Sequence, residues 1–533
     1  MSTATTPIPT VSPFWERVDR SAMRLGDRFN PILVKETRQA LKSRQFVVTF
    51  STLLFAALGW TIVGSLSMMP QIYITPSAPR MLIGYYVVLA VPMMLVVPLA
   101  AYRSLENEID DGTLELLTIT TLSPQQMVLG KLASAMLQML LYFVALFPCV
   151  AYAYNLRGVD LPTTIMVIAV VLLAAITLTV AALFLAPLAK SRSGRIVTLL
   201  ILLSMLLLAQ WGLGTLATVW ILQGGLFVTV ELLLGTLVLF LVAAALCHLL
   251  LICAAAQLTP ASENRSTGIR VALLIFSAVT LFAVHLWFRG AVSAGREVVN
   301  MFSVLTFSVA GLGVLWLVAG SMMAAEADRV TSRIRRELPS SFFARAALNL
   351  LTPGPVTGVM LAAIAGSALA IGYAAFVDSI IAKKSLPMYA VGDARAFRRT
   401  LLIAAPYGVL FLVGVRWLMA MIRLRNQTRV EVGMAALVTL MVVSALVPYS
   451  VGLHVNDYRP YTYSAWQSSN WAWTLSQTFG GTNALVPIRT GLSIAAAVSL
   501  LVTFFAAPQL VFPRRIALPR RVAIAEQEST EKV

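Results

Sequence analysis

The chain has 533 residues, of which 59% are hydrophobic and only 12% are charged, and its mean hydropathy is +0.83. A soluble domain carries about 25% charged residues, so these values exclude an ordinary soluble globular protein. Apolar runs of about 20 residues recur along the whole chain, and each is long enough to cross a hydrocarbon core of about 30 Å as a helix. The composition therefore predicts an all-α polytopic membrane protein.

The formal net charge of +17 is compatible with two interpretations. It is typical of proteins that bind nucleic acid, and it also arises when Lys and Arg collect in the cytoplasmic loops of a membrane protein and fix its topology. We favour the second interpretation and expect no nucleic-acid partner. The three cysteines, Cys149, Cys247 and Cys253, fall in predicted spans and are interpreted as small apolar residues. We expect no metal and no cofactor.

The N-terminal region is polar and basic. Residues 1–28 are predicted to be a flexible cytoplasmic tail. Asn30-Pro31 is a typical helix start, and residues 29–45 are predicted to form an amphipathic interfacial helix whose bases face anionic lipid. A simple cytoplasmic extension of the first span is the alternative. The basic face combines residues at helical spacing, namely Lys35, Arg38, Gln39 and Lys42.

About twelve transmembrane helices are predicted, and most Lys and Arg residues lie on the side that holds the N-terminus, so both termini are expected in the cytoplasm. Residues 46–260 form a predicted core of six spans, residues 261–511 a second membrane region of about six spans, and residues 512–533 a cytoplasmic tail. The predicted spans cover residues 46–67, 81–102, 127–153, 164–188, 196–213, 226–257, 271–288, 300–323, 356–377, 400–422, 432–452 and 489–511.

Two outer segments stand out in the second membrane region. Residues 379–399 carry Lys383, Lys384 and three arginines, although a twelve-span count places this loop outside. Residues 454–487 are rich in Tyr and Trp, which is typical of an aromatic belt at the membrane surface. A gate or a surface that handles lipid is the alternative interpretation of the aromatic segment.

The cytoplasmic segment between the second and third spans, residues 103–131, is unusually acidic. It holds five of the 23 carboxylates of the chain. The second span is expected to continue as a helix to about residue 110 and to stop at Gly112. A short Leu-rich helix then restarts, because Gly is tolerated at an N-cap and Glu115 occupies the third helical position. The five carboxylates are Glu106, Glu108, Asp110, Asp111 and Glu115.

The same segment ends in a strong helix start. Ser123-Pro124-Gln125-Gln126 is a capping box with Pro in the first turn, so the third span is predicted to begin there, with Gly130-Lys131 in its first turns. Residues 103–131 therefore read as a stiff element mounted between two spans, which would move them together. An ordinary polar loop with a good helix cap is the alternative.

Common enzyme signatures are absent from the sequence. The histidines, His248, His285 and His454, are scattered, and no His-Glu-x-x-His pair is present to bind zinc. No Gly-x4-Gly-Lys-Ser/Thr loop is present to hold a nucleotide phosphate. If nucleotide energy is used, another polypeptide binds the nucleotide.

Several motifs in the first half resemble those of ABC type-2 transporter permeases. The run from Glu108 through Gly112-Thr113-Leu114-Glu115-Leu116-Leu117, followed by Gly130-Lys131, is similar to the family's first cytoplasmic loop. Asn30-Pro31-x3-Lys35-Glu36 and its helix resemble the family's interfacial connecting helix. The resemblance covers roughly residues 29–260, and residues 261–533 depart from a standard six-span permease.

The resemblance implies a transport subunit without catalytic residues, an exporter in a prokaryotic cytoplasmic membrane. A separate ATP-binding subunit would dock on the first cytoplasmic loop. Residues 261–533 would supply a second, diverged half or an appended domain. The further partners that the resemblance implies are membrane lipids and a second permease copy or another membrane subunit. By matching position, the docking residues would be Glu108, Gly112, Thr113, Leu114, Glu115 and Leu117.

Ionisable residues inside spans are costly and mark functional sites by default. Glu231 near the outer end of the sixth span and Arg416 toward the inner end of the tenth are the two candidates for an intramembrane polar site. The alternatives are that Glu231 reaches the outer surface and that Arg416 extends its guanidinium to the headgroups.

Two other functional classes are compatible with a polytopic membrane protein. A membrane-embedded enzyme similar to glycosyltransferases that use lipid-linked sugars is disfavoured, because its acids are expected outside and Asp110-Asp111 is predicted inside. An ion-coupled secondary transporter usually carries ionisable residues or broken helices near mid-membrane. Glu231, Pro92 and Pro98 are the features that favour this class.

Overall fold

The computed structural model describes residues 31–112, 123–188, 191–222, 230–260, 263–293, 298–326, 341–382, 388–423, 430–459, 461–478 and 485–506. Every regular element in these ranges is helical. Twelve of the helices are long and apolar enough to cross a membrane, which confirms the predicted all-α polytopic class for the described part of the chain. We use "inner" and "outer" for the two helix ends in the orientation predicted from the sequence.

The spanning helices of the first half follow one another closely. A short amphipathic helix, α1 (Pro31–Lys42), precedes them and is separated from the first span by Ser43, whose side chain caps that span. The spans are α2 (Arg44–Ser67), α3 (Ala78–Asp110), α4 (Pro124–Asn155), α5 (Leu161–Leu185), α6 (Arg192–Leu222) and α7 (Val230–Leu258).

The described ranges of the second half contain six further spans and two short helices. The spans are α8 (Ser266–Ser293), α9 (Val298–Ala324), α11 (Pro355–Ala382), α12 (Met388–Arg423), α13 (Glu431–Val455) and α15 (Leu485–Ala506), and the short helices are α10 (Phe342–Asn349) and α14 (Trp471–Gln477).

The chain divides into two compact units near residue 260. Unit 1 comprises Met1–Leu233 and Ala243–Thr259, and unit 2 comprises Leu234–Val242 and Pro260–Val533. In unit 1 the core surrounds α3 and α5, which are the most deeply buried spans of that unit. In unit 2 the most deeply buried spans are α11 and α12.

Helix α3 is continuous but not uniform. Residues Pro92–Val96 form a π-helical turn between two α-helical parts, Ala78–Val91 and Val97–Asp110. Pro92 and Pro98 lack the backbone N–H that a regular α-helix needs, which explains why the hydrogen-bond pattern changes there. Methionines Met93 and Met94 in this turn are buried in the core of unit 1.

Of the basic residues predicted in an outer loop at 379–399, the three arginines lie in a helix, and Lys383 and Lys384 lie outside the described residues. Helix α12 begins at Met388, so the arginines belong to its first turns. Arg398 Nε lies 2.8 Å from a carboxylate oxygen of Asp378, and Arg399 Nε donates to the carbonyl of Thr478 at 3.2 Å. These contacts explain how the charges are accommodated at the outer end of a helix.

The aromatic outer segment folds back against the spans of unit 2. Residues 461–478 form a hairpin of a short 3-10 segment, Ala465–Ser469, followed by α14. Trp473 lies at the centre of an aromatic group, with ring centroids 5.1–5.9 Å from those of Tyr449, Tyr461 and Tyr463. The segment is therefore packed structure and differs from a simple belt of surface aromatics.

Candidate functional site: a buried ionic cluster at the inner helix ends

Three helices of unit 1 meet at their inner ends around one buried lysine, Lys131 of α4. Its side chain is only 3% exposed. Lys131 Nζ lies 3.2 Å from Glu36 Oε1, 2.8 Å from Ser104 Oγ and 3.1 Å from Glu108 Oε2. An ammonium group has three donors, and these three acceptors match them in number. We call the group Glu36, Ser104, Glu108 and Lys131 the Lys131 cluster.

The carboxylates of the cluster are also held from other directions. Ser104 Oγ donates a hydrogen bond to Glu36 Oε2 at 3.3 Å. The hydroxyl therefore accepts from Lys131 and donates to Glu36. Lys35 Nζ lies 3.9 Å from Glu108 Oε1 on the exposed side of the cluster. With Lys35 included, two carboxylates face two ammonium groups, and the group is neutral.

Local sequence explains how each side chain arrives there. On α1 the exposed face carries Lys35, Arg38 and Lys42, whereas Glu36 points inward and is buried. On α3, Ser104 and Glu108 are four residues apart and share one face. On α4, Lys131 lies two turns after the helix start at Pro124. The charged side chains therefore come together because three amphipathic helix ends turn their polar positions toward each other.

The inner end of α3 is tied to α6 as well. Tyr102 OH lies 3.1 Å from Thr198 Oγ1, and Arg195 forms an ion pair with Asp110. The end of α3 is thus connected through side chains to α1, α4 and α6.

The acidic segment, residues 103–131, carries three members of the Lys131 cluster, Ser104, Glu108 and Lys131. The structure confirms that α3 continues to Asp110 and that the helix is interrupted at Gly112, which has a φ of +66°. It also confirms the capping box at Ser123, because Gln126 N donates to Ser123 Oγ at 3.3 Å and Ser123 N donates to Gln126 Oε1 at 2.9 Å. Residues 113–122 lie outside the described residues, but both of their attachment points are defined.

The predicted docking residues divide into two groups. Glu108 belongs to the Lys131 cluster, and Gly112 forms the turn that ends α3. The remaining predicted docking residues, Thr113, Leu114, Glu115 and Leu117, lie outside the described residues.

The two candidates for an intramembrane polar site lie on other helices than the Lys131 cluster. Glu231 is the second residue of α7, and its side chain lies outside the described part of the chain. Arg416 is a half-buried residue of α12 in unit 2.

Sequence reasoning missed Glu36, Ser104 and Lys131 as site residues. Lys131 gave a usable signal, because a lysine within a predicted span requires a partner. The identity of that partner was hidden, since Glu36 is 95 residues away in the sequence.

A second buried charge organises the inner end of unit 2. Arg270 of α8 is fully buried, and its Nη2 donates to Glu326 Oε2 at 2.7 Å and to the carbonyl of Gly354 at 3.0 Å. Glu326 Oε2 also accepts from the N–H of Gly354 at 2.8 Å. We call this group the Arg270 cluster. Arg270 Nη1 has three further acceptors, namely the carbonyls of Leu350 and Thr352 and the hydroxyl of Thr357.

The Arg270 cluster holds the turn between α10 and α11. Gly354 has a φ of +152°, and both of its backbone polar groups are used by the cluster. Arg270 was not identified as a site residue from the sequence, because it lies at the edge of a predicted span and resembles the other basic residues of inner loops.

Comparisons with protein-family models, with curated proteins and with solved structures give no match to this chain.

Proposed function

We propose that the chain is the membrane permease of an ATP-driven exporter of the ABC type-2 class in a prokaryotic cytoplasmic membrane, with both termini cytoplasmic. A separate ATP-binding subunit supplies the hydrolysis. The observation that gives the strongest support is the Lys131 cluster. It joins the inner ends of α3 and α4, between which residues 113–122 lie, to each other and to α1. The motif resemblance of residues 29–260 supplies the choice of class.

The cluster gives a physical route for force. A partner that displaces residues 113–122 pulls on Gly112 and Ser123, which belong to the ends of α3 and α4. Because Lys131 bridges Glu108 of α3 and Glu36 of α1, these helices move with the segment rather than independently. The exposed basic face of α1 meets anionic lipid headgroups and keeps this assembly at the membrane boundary. ATP-driven motion of the partner is thereby converted into movement of spans.

Docking is tested by charge reversal within the segment. The chain is co-expressed with ATP-binding proteins of the same genome, the product of the neighbouring gene first, and purified through a tag on the permease. Glu115→Lys is expected to lower recovery of the ATP-binding subunit and its stimulated ATPase activity about tenfold or more, since close charge pairs at interfaces couple by about 1.5–7 kcal/mol. Glu431→Lys is the matched control, because Glu431 is an exposed carboxylate at the inner end of α13.

The proposal fails if no ATP-binding subunit co-purifies with the wild-type chain, or if transport continues without one. If a subunit binds but Glu115→Lys and Glu431→Lys behave alike, the acidic segment is not its docking surface. Glu108 is unsuitable as the docking probe, because its reversal would place a cation beside Lys131 and disrupt the cluster itself.

A further inference from the structure

The hairpin at residues 461–478 is unusual in composition and position. Its eighteen residues include no Lys, Arg, Asp or Glu, and they contain Ser, Thr, Asn and Gln side chains beside five aromatic rings. The hairpin lies between α13 and α15, and it packs against α12 and α13.

Hydrogen bonds to α13 measure how deep the hairpin reaches. Trp471 Nε1 donates to the carbonyl of Met441 at 2.9 Å, and Asn470 Nδ2 donates to that of Ala445 at 2.9 Å. Met441 lies 14 residues before Val455, where the helix ends. At 1.5 Å per residue this is roughly 21 Å along the axis. Half of a hydrocarbon core is about 15 Å, so the tip of the hairpin reaches mid-membrane.

Helix α12 gives a second, independent measure of depth. At the tip, Tyr407 OH donates to the carbonyl of Ser468, and the ring of Phe411 lies 6.4 Å from that of Trp471. At the other end of α14, Thr478 contacts Thr400. Thr400 is eleven residues closer than Phe411 to the outer end of α12, which corresponds to roughly 16 Å. Helix α14 therefore rises from mid-membrane toward the outer surface.

Polar groups at this depth need protein partners or water. Non-helical backbone is tolerated there only when it is buried in protein or lines a water-filled cavity. Part of the hairpin is satisfied by protein, but Ser469 at the tip is exposed. Gln467 is fully buried, and its Oε1 has no hydrogen-bond partner among the described atoms. A hydroxyl that faced lipid at this depth would be unfavourable by several kcal/mol, on the order given for unpaired polar groups in an apolar medium.

We propose that the 461–478 hairpin lines a water-filled vestibule that opens at the outer face of unit 2 and extends to mid-membrane. The side chains of the hairpin itself are uncharged and carry hydroxyl and amide groups, and Arg399 of α12 contacts the hairpin at its outer end, so the deep part of the vestibule takes neutral polar solutes or headgroups rather than ions. The vestibule does not depend on an ATP-binding partner and is therefore separable from the proposed function.

Thiol accessibility tests the vestibule in the full-length chain. Cys149, Cys247 and Cys253 all belong to unit 1 and are first replaced by Ala. Single cysteines are then introduced as Ser469→Cys at the tip and Val442→Cys on α13. Val442 is 48% exposed and follows Met441, so it provides a position at the same depth on an exposed face of α13. Tyr458→Cys, at a position 74% exposed, reports the rate outside the spans.

Membrane-impermeant methanethiosulfonates are applied to the outer face of sealed spheroplasts. Ser469→Cys should react within about tenfold of Tyr458→Cys, and Val442→Cys should react at least about 100-fold more slowly, because the reactive thiolate does not form in hydrocarbon. Equal protection of Ser469→Cys and Val442→Cys would overturn the proposal. Ala472→Cys, an exposed position next to Trp471, receives the same test, so the result does not depend on one variant folding.

The charge of the reagent tests the lining. Rates of a cationic and an anionic methanethiosulfonate at Ser469→Cys are each divided by the rate at Tyr458→Cys. An uncharged vestibule gives two similar ratios. A difference of more than about tenfold would contradict the neutral lining, since it corresponds to about 1.4 kcal/mol of electrostatic preference.

Discussion

The two buried cations, Lys131 in unit 1 and Arg270 in unit 2, solve the same physical problem in different ways. Lys131 is surrounded by side chains from separate helices, Glu36, Ser104 and Glu108. Arg270 is surrounded mainly by backbone carbonyls of one turn, residues 350–354, with Glu326 as its counterion. Both remove a full charge from solvent, which is tolerated only when the charge is paired and hydrogen-bonded.

The difference indicates two mechanical roles. Side chains from different helices join those helices to each other, so the Lys131 cluster links elements that would otherwise move separately. Backbone carbonyls of one turn define the path of the chain, so the Arg270 cluster fixes a loop in one conformation. An ammonium suits the first role because its three donors point in different directions. A planar guanidinium with five donors suits the second.

Removing the cation from unit 2 should give the largest loss of stability. Arg270→Met leaves Glu326 without its counterion and several carbonyls without donors, and breaking a buried pair in this way costs about 3–5 kcal/mol. The loss is measured as a lower midpoint for thermal unfolding in detergent. Arg270→Lys should recover only part of it, because one ammonium nitrogen with three donors replaces the two Nη nitrogens, which carry four donors and make all of the hydrogen bonds described for Arg270. Arg265→Met, at an exposed arginine nearby, should change stability by less than about 0.5 kcal/mol.

The equivalent change in unit 1 should be smaller. The side chains of Glu36 and Glu108 are 11% and 20% exposed, so they regain some water when Lys131→Met removes the ammonium. We expect a loss of about 2–3 kcal/mol, at the low end for a broken buried pair. Adding Glu36→Gln and Glu108→Gln should restore part of it. Lys35 provides the control, because it is the exposed partner of Glu108, and Lys35→Met should cost less than about 1 kcal/mol. Equal losses for Lys35→Met and Lys131→Met would show that the cluster has no special role.

The glycines of the two inner turns provide a finer comparison. A Cβ on Gly112 would meet nothing within 4 Å, so Gly112→Ala should cost about 1–2 kcal/mol from the positive φ alone. A Cβ on Gly354 would lie 3.2 Å from Thr357 Oγ1, which accepts a hydrogen bond from Arg270, so Gly354→Ala should cost more. Thermal midpoints of the two variants, measured in the same detergent, give the order. The reverse order would contradict the assignment of the 350–354 turn as the more tightly held.

The serine caps should give the smallest effects. Ser123 makes both bonds of a capping box, whereas Ser341 accepts one bond, from Ala344 N at 3.2 Å. Ser123→Ala removes the Oγ acceptor but leaves the bond from Ser123 N to Gln126 Oε1, so Ser123→Ala and Ser341→Ala should each cost about 1 kcal/mol, within the range of about 0.5–2 kcal/mol for lost N-caps. Ser123→Asp keeps an acceptor at the cap and should retain most of the stability. A failure of Ser123→Asp to do so would locate the effect elsewhere than in the cap.

Features that depend on nearby residues could be predicted from the sequence. The spans follow from the length of apolar runs, and the breaks at Gly112 and Ser123 follow from local backbone preferences. The contacts that define the candidate site could not be predicted in this way. Lys131 contacts Glu36 across 95 residues, and the local motif Asn30-Pro31-x3-Lys35-Glu36 does not indicate which residue Glu36 pairs with.

The outer part of unit 2 illustrates the same limit. The sequence predicts Arg398 and Arg399 in an outer loop between two spans, but they lie in α12, where Asp378 and the carbonyl of Thr478 stabilise them. The hairpin likewise depends on carbonyls of α13 that become available to side chains from a distant segment. Pro448, inside α13, removes one backbone donor close to these carbonyls, which is a local signal that was present in the sequence.

The π turn at Pro92–Val96 has a consequence for the angular position of side chains along α3. One extra residue in a helical turn rotates everything after it by about 100° relative to an unbroken α-helix. The outer part of α3 buries Met81 and Tyr85 in the core, whereas the inner part directs Ser104 and Glu108 toward Lys131. A deletion of Met93 would give a regular helix. In that helix either Met81 and Tyr85 would face the core or Ser104 and Glu108 would face Lys131, but not both. The π turn thus sets the phase between the membrane core of unit 1 and its ionic cluster.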